Sequence, residues 1–230
     1  MTTESFYYTD DYDDYDDYDD YMEDRQLPGK SHIRVFHAAP GAPEVDIYAN
    51  GRIIARRLAF GQFTDYITVD AGTYAIEAFP VGLHASPILR VNIPLGAEKV
   101  YTLSVIGLLP RIGILPVEDV YEPVSQGRTN IRFVNLSPNA PGLSLSLRGG
   151  MELFSDISYT EVSNYRPLLP GRYNLIVTPT GTPGIVANLP NVRLLPRRNI
   201  SFYAVGMFGQ VPSSLEVYIP LDGTTYLRDY

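Results

Sequence analysis

The 230-residue sequence has no cysteine and no tryptophan, only three histidines, and just two lysines among 18 basic residues. Without cysteine there is no disulfide framework, no thiolate metal site and no thiol nucleophile. No apolar run approaches the roughly 18 residues that a membrane-spanning helix needs. The opening residues, MTTESFYYTDD, hold neither a basic region nor an apolar core, so no standard secretion signal is expected. The histidines His32, His37 and His84 are too few and too scattered for a converging ligand set, and no glycine-rich phosphate loop precedes a helix. His37, Asp46 and a serine can be drawn as a triad, but no G-x-S-x-G elbow accompanies them. His37 is therefore expected to be a hydrogen-bonded structural residue. No catalytic residue, metal site or cofactor is assigned, and the chain is expected not to be an enzyme.

Charge and tyrosine are what the chain has in excess. Residues 1–25 contain 11 acidic residues and one Arg, a net −10 against −8 for the whole chain, which leaves the remainder at +2. The centre of this leader is DDYDDYDDYDDY, with Tyr12, Tyr15, Tyr18 and Tyr21 spaced three apart and flanked by carboxylates that include Asp13, Asp14, Asp16 and Asp17. So little apolar surface and so much like charge predict a segment that is disordered when free. In an extended three-residue-per-turn conformation the four tyrosines would share one edge. These residues are candidates for an assembly segment that docks on arginine-bearing surfaces. The segment lacks the glycine and spacing of an EF-hand loop, so no specific calcium site is expected. The arginines are scattered, and the leader would repel phosphate, so nucleic acid is not an expected partner.

The rest of the chain repeats itself. Ile33–Tyr48, IRVFHAAPGAPEVDIY, returns 98 residues later as Ile131–Ser146, IRFVNLSPNAPGLSLS, and Tyr66, Gly72 and Tyr74 return at an offset of 99 as Tyr165, Gly171 and Tyr173. A repeat of this length means one supersecondary plan used twice. Short apolar runs separated by turns fill each copy, which predicts an all-β fold of two tandem β-sandwich domains. Strands are expected at about 33–38, 45–49, 53–58, 63–69, 74–79, 88–93, 100–108 and 112–117, and again at 131–136, 143–147, 151–157, 161–166, 173–179, 185–192, 200–206 and 215–219. Asn50-Gly51 predicts a two-residue hairpin turn with positive φ at both positions, and Gly149-Gly150 takes its place in the second copy. Gly72 before Tyr74, and Gly171 before Tyr173, predict tyrosine corners in which the phenol bonds back to nearby backbone. The expected divisions are a leader at 1–29, domains at 30–120 and 129–223, a linker at 121–128 and a tail at 224–230.

Arg34, His37, Ala39-Pro40, Ala42-Pro43, Val45-Asp46-Ile47-Tyr48 and Gly51, followed by Ala71-Gly72-Thr73-Tyr74, resemble the pattern of the bacterial domain of unknown function 4397 family. The second copy departs from that pattern, with Asn135 in place of the histidine. The resemblance covers about 31–220. It implies tandem immunoglobulin-like or transthyretin-like sandwiches, generally on cell surfaces, and implies no activity. The leading expectation is a structural subunit of a spore-surface or cell-surface layer or filament, whose partners are copies of itself and other surface-layer proteins. The alternative is a surface adhesin or ligand-binding module recognising protein or carbohydrate through loops at one end of the sandwiches.

Overall fold

The computed structural model describes residues 29–83, 85–181, 184–209, 215–225 and 227. The leader residues Tyr12, Asp13, Asp14, Tyr15, Asp16, Asp17, Tyr18 and Tyr21 lie outside them. Among the described residues there is no α-helix, only a single 3-10 turn at Gly223–Thr225.

The first half comprises β1 (Lys30–His37), β2 (Val45–Ala49), β3 (Arg52–Leu58), β4 (Ile67–Asp70), β5 (Gly72–Pro80), β6 (Leu89–Leu95), β7 (Lys99–Leu108) and β8 (Arg111–Glu118). They form two four-stranded sheets, β4-β1-β7-β8 and β3-β2-β5-β6. The second half repeats the plan with β9 (Thr129–Asn135), β10 (Leu143–Leu147), β11 (Glu152–Ile157), β12 (Arg166–Leu168), β13 (Gly171–Pro179), β14 (Ala187–Leu194), β15 (Asn199–Val205) and β16 (Glu216–Tyr218). Its sheets are β12-β9-β15-β16 and β11-β10-β13-β14. The all-β sandwich architecture read from the sequence is the one observed.

Two expected strands are much shorter. In place of 63–69 and 161–166 the structure has β4 and β12, preceded only by single bridges, Phe36 to Phe63 and Val134 to Val162. The reason is local and the same in both copies. The Thr64 hydroxyl accepts the Val35 amide, and the Ser163 hydroxyl accepts the Phe133 amide, so a side chain takes the bond that a ladder carbonyl would have taken.

β1 pairs with β7, and β9 with β15, in parallel. Seven of eight residues in β1, and all seven in both β9 and β15, are buried. Burial on both faces is what a strand covered on both sides requires. One face, with Ile33, Val35, Leu103 and Val105, fills the first sandwich; Ile131, Phe133, Ile200 and Phe202 fill the second. The other face builds a third cluster between the halves, with Phe36, Ile106, Val117, Val134, Leu136, Tyr203 and Val205.

Each half takes in and releases the chain at one end. In the first, Ser31 pairs with Lys99, Tyr101 with Glu118 and Lys30 with Asp70. In the second, Asn130 pairs with Asn199, and Ile200 bridges to Leu221. The Asn50-Gly51 turn lies at this end as well, with φ of 48° and 75°. So do the corners: Tyr74 Oη donates to the Asp70 carbonyl at 2.9 Å, and Tyr173 Oη to the Leu169 carbonyl at 2.7 Å. The two corner glycines differ. Gly72 has φ of 152°, whereas Gly171 is not among the residues with positive φ. Backbone strain on substitution thus applies to Gly72 and not to Gly171.

Candidate functional site

The most concentrated polar chemistry lies in the seam between the halves, built by the duplicated Arg, Tyr and Asp. Arg132, central on β9, donates from Nε to Ser201 Oγ (2.6 Å), from Nη1 to the Glu118 carbonyl (2.6 Å) and from Nη2 to Asp119 Oδ1 (2.7 Å). Its guanidinium lies 4.8 Å from the centre of the Tyr165 ring. Arg34 stands in the equivalent place on β1. It donates from Nε to Thr102 Oγ1 (2.9 Å) and from Nη1 to the Leu221 carbonyl (3.1 Å), between Phe63 at 4.9 Å and Tyr66 at 4.7 Å. Its Nη2 is buried without a hydrogen-bond partner. The symmetry is therefore broken: one arginine has a carboxylate, the other two aromatic faces.

Asp119, just after β8, accepts from Tyr66 Oη, from the Gly223 amide (2.9 Å) and from Arg132. It thereby joins three distant segments. Asp222 accepts from Tyr165 Oη and from Ser201 Oγ (2.7 Å), with Arg132 Nε 3.8 Å away. Burial, and then the Asp119 charge, push its carboxyl up to about 6. Burial likewise raises the Tyr66 and Tyr165 phenols far above their ordinary range. Burial lowers the Arg132 pKa, but Asp222 and the other acidic groups outweigh it, so the guanidinium is held more firmly charged than usual. The polar atoms here bond mainly to one another and to backbone, while Arg132 and Tyr165 also border an open groove of about 480 Å³. This is a clasp. Gly61 belongs to it: at φ of 82° it lies against the Tyr218 hydroxyl, where a Cβ would collide.

His37 Nε2 sits 3.1 Å from the Pro43 carbonyl, and burial lowers its pKa. Asp46 instead accepts the Arg57 amide at 2.8 Å. The structure gives the two no common bond, so the drawn triad is not assembled. No group of three potential metal ligands occurs among the described residues.

Away from the seam, the two ends of the molecule differ. The end opposite the chain's entry and exit carries the loops after β1, β5, β7, β9, β13 and β15. Its loop tips hold Leu83, Leu109 and Ile185, 64%, 47% and 51% exposed. At the entry end lie open grooves. One, of about 560 Å³, is lined by Tyr121, Glu122, Val124, Pro196, Arg197, Arg198, Asn199, Thr224 and Thr225. A smaller one of about 240 Å³ runs along Glu98, Lys99, Glu118 and Asp119 and shares Tyr121 and Thr224 with the first.

The sequence already aligned Tyr66 with Tyr165 and singled out Arg34. It did not place Asp119 and Asp222, which sit beyond the repeat's constant offset, at 103 rather than 98–99.

A family model described as a domain of unknown function (DUF4397) matches residues 31–146. No curated protein matches the sequence. Among solved structures, a family 26 carbohydrate-binding module from Eubacterium rectale Amy13K, in complex with maltoheptaose, is 11% identical. That likeness covers 85% of this chain and 99% of the module at a TM-score of 0.27. A candidate adhesin from Bacteroides ovatus is 8% identical, covering 84% of this chain and 94% of its own at 0.19. Likenesses this slight carry no argument.

Proposed function

The chain belongs to the DUF4397 family, and from that premise we propose that it is a non-enzymatic surface binding module that recognises protein or carbohydrate through loops at one end of paired sandwiches. The observation that carries this reading is the polarity of the molecule. All chain entries and exits gather at one end, and the opposite end presents loop tips with exposed Leu83, Leu109 and Ile185. Rigid sheets that hold apolar residues out on loops are a common design for recognition, because the scaffold limits the ordering entropy lost on binding. The seam supports the non-enzymatic part, since its buried ionisable groups are consumed in holding the halves together.

The test is binding of the full chain to arrayed glycans and to intact bacterial surfaces, alongside a variant carrying L83S, L109S and I185S. Loss of most binding in the variant, with an unchanged melting temperature, supports the reading; full retention refutes it. The reading as a subunit of a spore or cell-surface layer rests on the charge contrast between leader and body, and negative-stain images of the chain with and without its leader test it.

A further inference from the structure

The repeat offers an internal control for surface charge. Three positions near the chain entry are equivalent in the two halves: Lys30 and Arg128, Glu98 and Arg197, Lys99 and Arg198. The equivalence is structural, because the Glu98 amide donates to the Lys30 carbonyl (2.6 Å) as the Arg197 amide does to that of Arg128 (2.7 Å). In the first half this triad is neutralised. Lys30 pairs with Asp70, Lys99 with Glu118 at 2.6 Å, and the third member is itself an acid. In the second half all three are arginines, and both neutralising acids are replaced. Leu169 stands where Asp70 is and Leu221 where Glu118 is, 57% and 40% exposed. Among the described residues none of Arg128, Arg197 and Arg198 forms an ion pair. Residues 30–119 hold eight cations and eight acids, whereas 128–225 hold eight arginines and five acids, a net +3. The surplus lies where Arg197 and Arg198, with Glu122 as the one acid among the described residues, line the 560 Å³ groove.

We propose that this arginine groove is the docking site of the chain's own acidic leader, with the Asp-Asp-Tyr repeat of residues 10–21 as its occupant. Charge and position both argue for it. The leader is −10, and its rows of carboxylates match guanidinium forks, while tyrosines suit a groove bearing Arg faces, Pro196 and Val124. The leader joins the body at Lys30, beside Glu98 and Lys99. From there the smaller groove leads through the shared Tyr121 and Thr224 into the arginine groove. The eight residues from Met22 to Gly29 span up to about 28 Å when extended. A tethered segment within reach has a high effective concentration, which favours the chain's own leader over a neighbour's. This proposal is independent of the loop-end reading, since it concerns the opposite end of the molecule.

The experiment uses the full chain labelled with 15N-arginine, as wild type and with the eight Asp of residues 10–20 changed to Asn. The Arg128, Arg197 and Arg198 guanidinium signals are expected to differ between the two proteins while that of the exposed Arg56 does not. Raising salt from about 0.05 to 0.5 M should move the wild-type signals toward the variant, because exposed ion pairs are screened over a few ångströms at the higher strength. A peptide of residues 7–24 added to the neutralised variant should restore the wild-type positions. It should bind about tenfold more weakly when R128Q, R197Q and R198Q are also present, and not when K30Q and K99Q are. Identical signals in wild type and variant, or peptide binding indifferent to the three arginines, would overturn the proposal. Signal differences that grow with protein concentration overturn the own-chain assignment and give the groove to the leader of a second copy.

Discussion

At the scale of single residues, the two seam arginines are alike in sequence and unlike in energetic role. Arg132 → Met strands Asp119 with its charge buried and its strongest donor gone. Such losses are large, about 3–5 kcal/mol. Arg34 → Met removes two hydrogen bonds and two aromatic contacts but also a buried N–H without a partner, so a loss of only about 1–2 kcal/mol is expected. Urea unfolding of both variants checks the order, and equal losses would contradict it. Asp222 gives the seam a pH dependence of definite sign. Its folded carboxyl titrates at about 6, above the ordinary value near 3.9, so between those limits the folded state holds a proton that the unfolded state has released. Its contribution therefore favours folding as pH falls from about 7 to 4. The stability of wild type relative to D222N should accordingly rise, by on the order of 1–2 kcal/mol, as pH falls from 7.5 to 4.5.

Among elements, the segment from β2 to β5 shows how much of this protein was legible beforehand. Asn50-Gly51 identifies its hairpin because few other dipeptides take positive φ twice. The alternation of Tyr74, Ile76 and Ala78 likewise marks β5. Hydroxyls replacing ladder bonds at Thr64 and Ser163 were not legible, since a Thr or Ser inside an apolar run reads as ordinary strand. Nor was the double burial of β1, β9 and β15: polar residues such as Arg34, Arg132 and Ser201 on their outer faces look like solvent-exposed positions until a second sheet covers them. Gly61, which admits Tyr218 to the seam, is equally silent in sequence. Gly61 → Ala combines an unfavourable φ with a collision against that ring, so it should lower the melting temperature by several degrees, about what 1–2 kcal/mol produces. The corner tyrosines make a milder test, each Tyr74 → Phe or Tyr173 → Phe change removing one bond worth about 1 kcal/mol.

For the molecule as a whole, the seam sets cooperativity. Tandem domains on a short linker usually unfold separately. Here Phe36, Phe63 and Tyr203 pack ring against ring between the halves, Arg34 reaches the Leu221 carbonyl, and Asp119 holds Tyr66, Arg132 and Gly223 together. Calorimetry should therefore record one transition with equal calorimetric and van't Hoff enthalpies, and Phe36 → Ala, a loss of about 3–5 kcal/mol, should begin to split it in two. Two transitions in the wild type would mean that the seam is too weak to couple the sandwiches.

The shared end for chain entry and exit has a mechanical consequence. A pull on either terminus acts on strands that begin and finish at the same pole, so the load peels β1 or β16 from its neighbours one ladder bond at a time instead of shearing the whole row at once. Peeled ladders yield at low force. A molecule anchored by its leader would therefore point its far loops outward like a bristle while remaining a soft spring under tension.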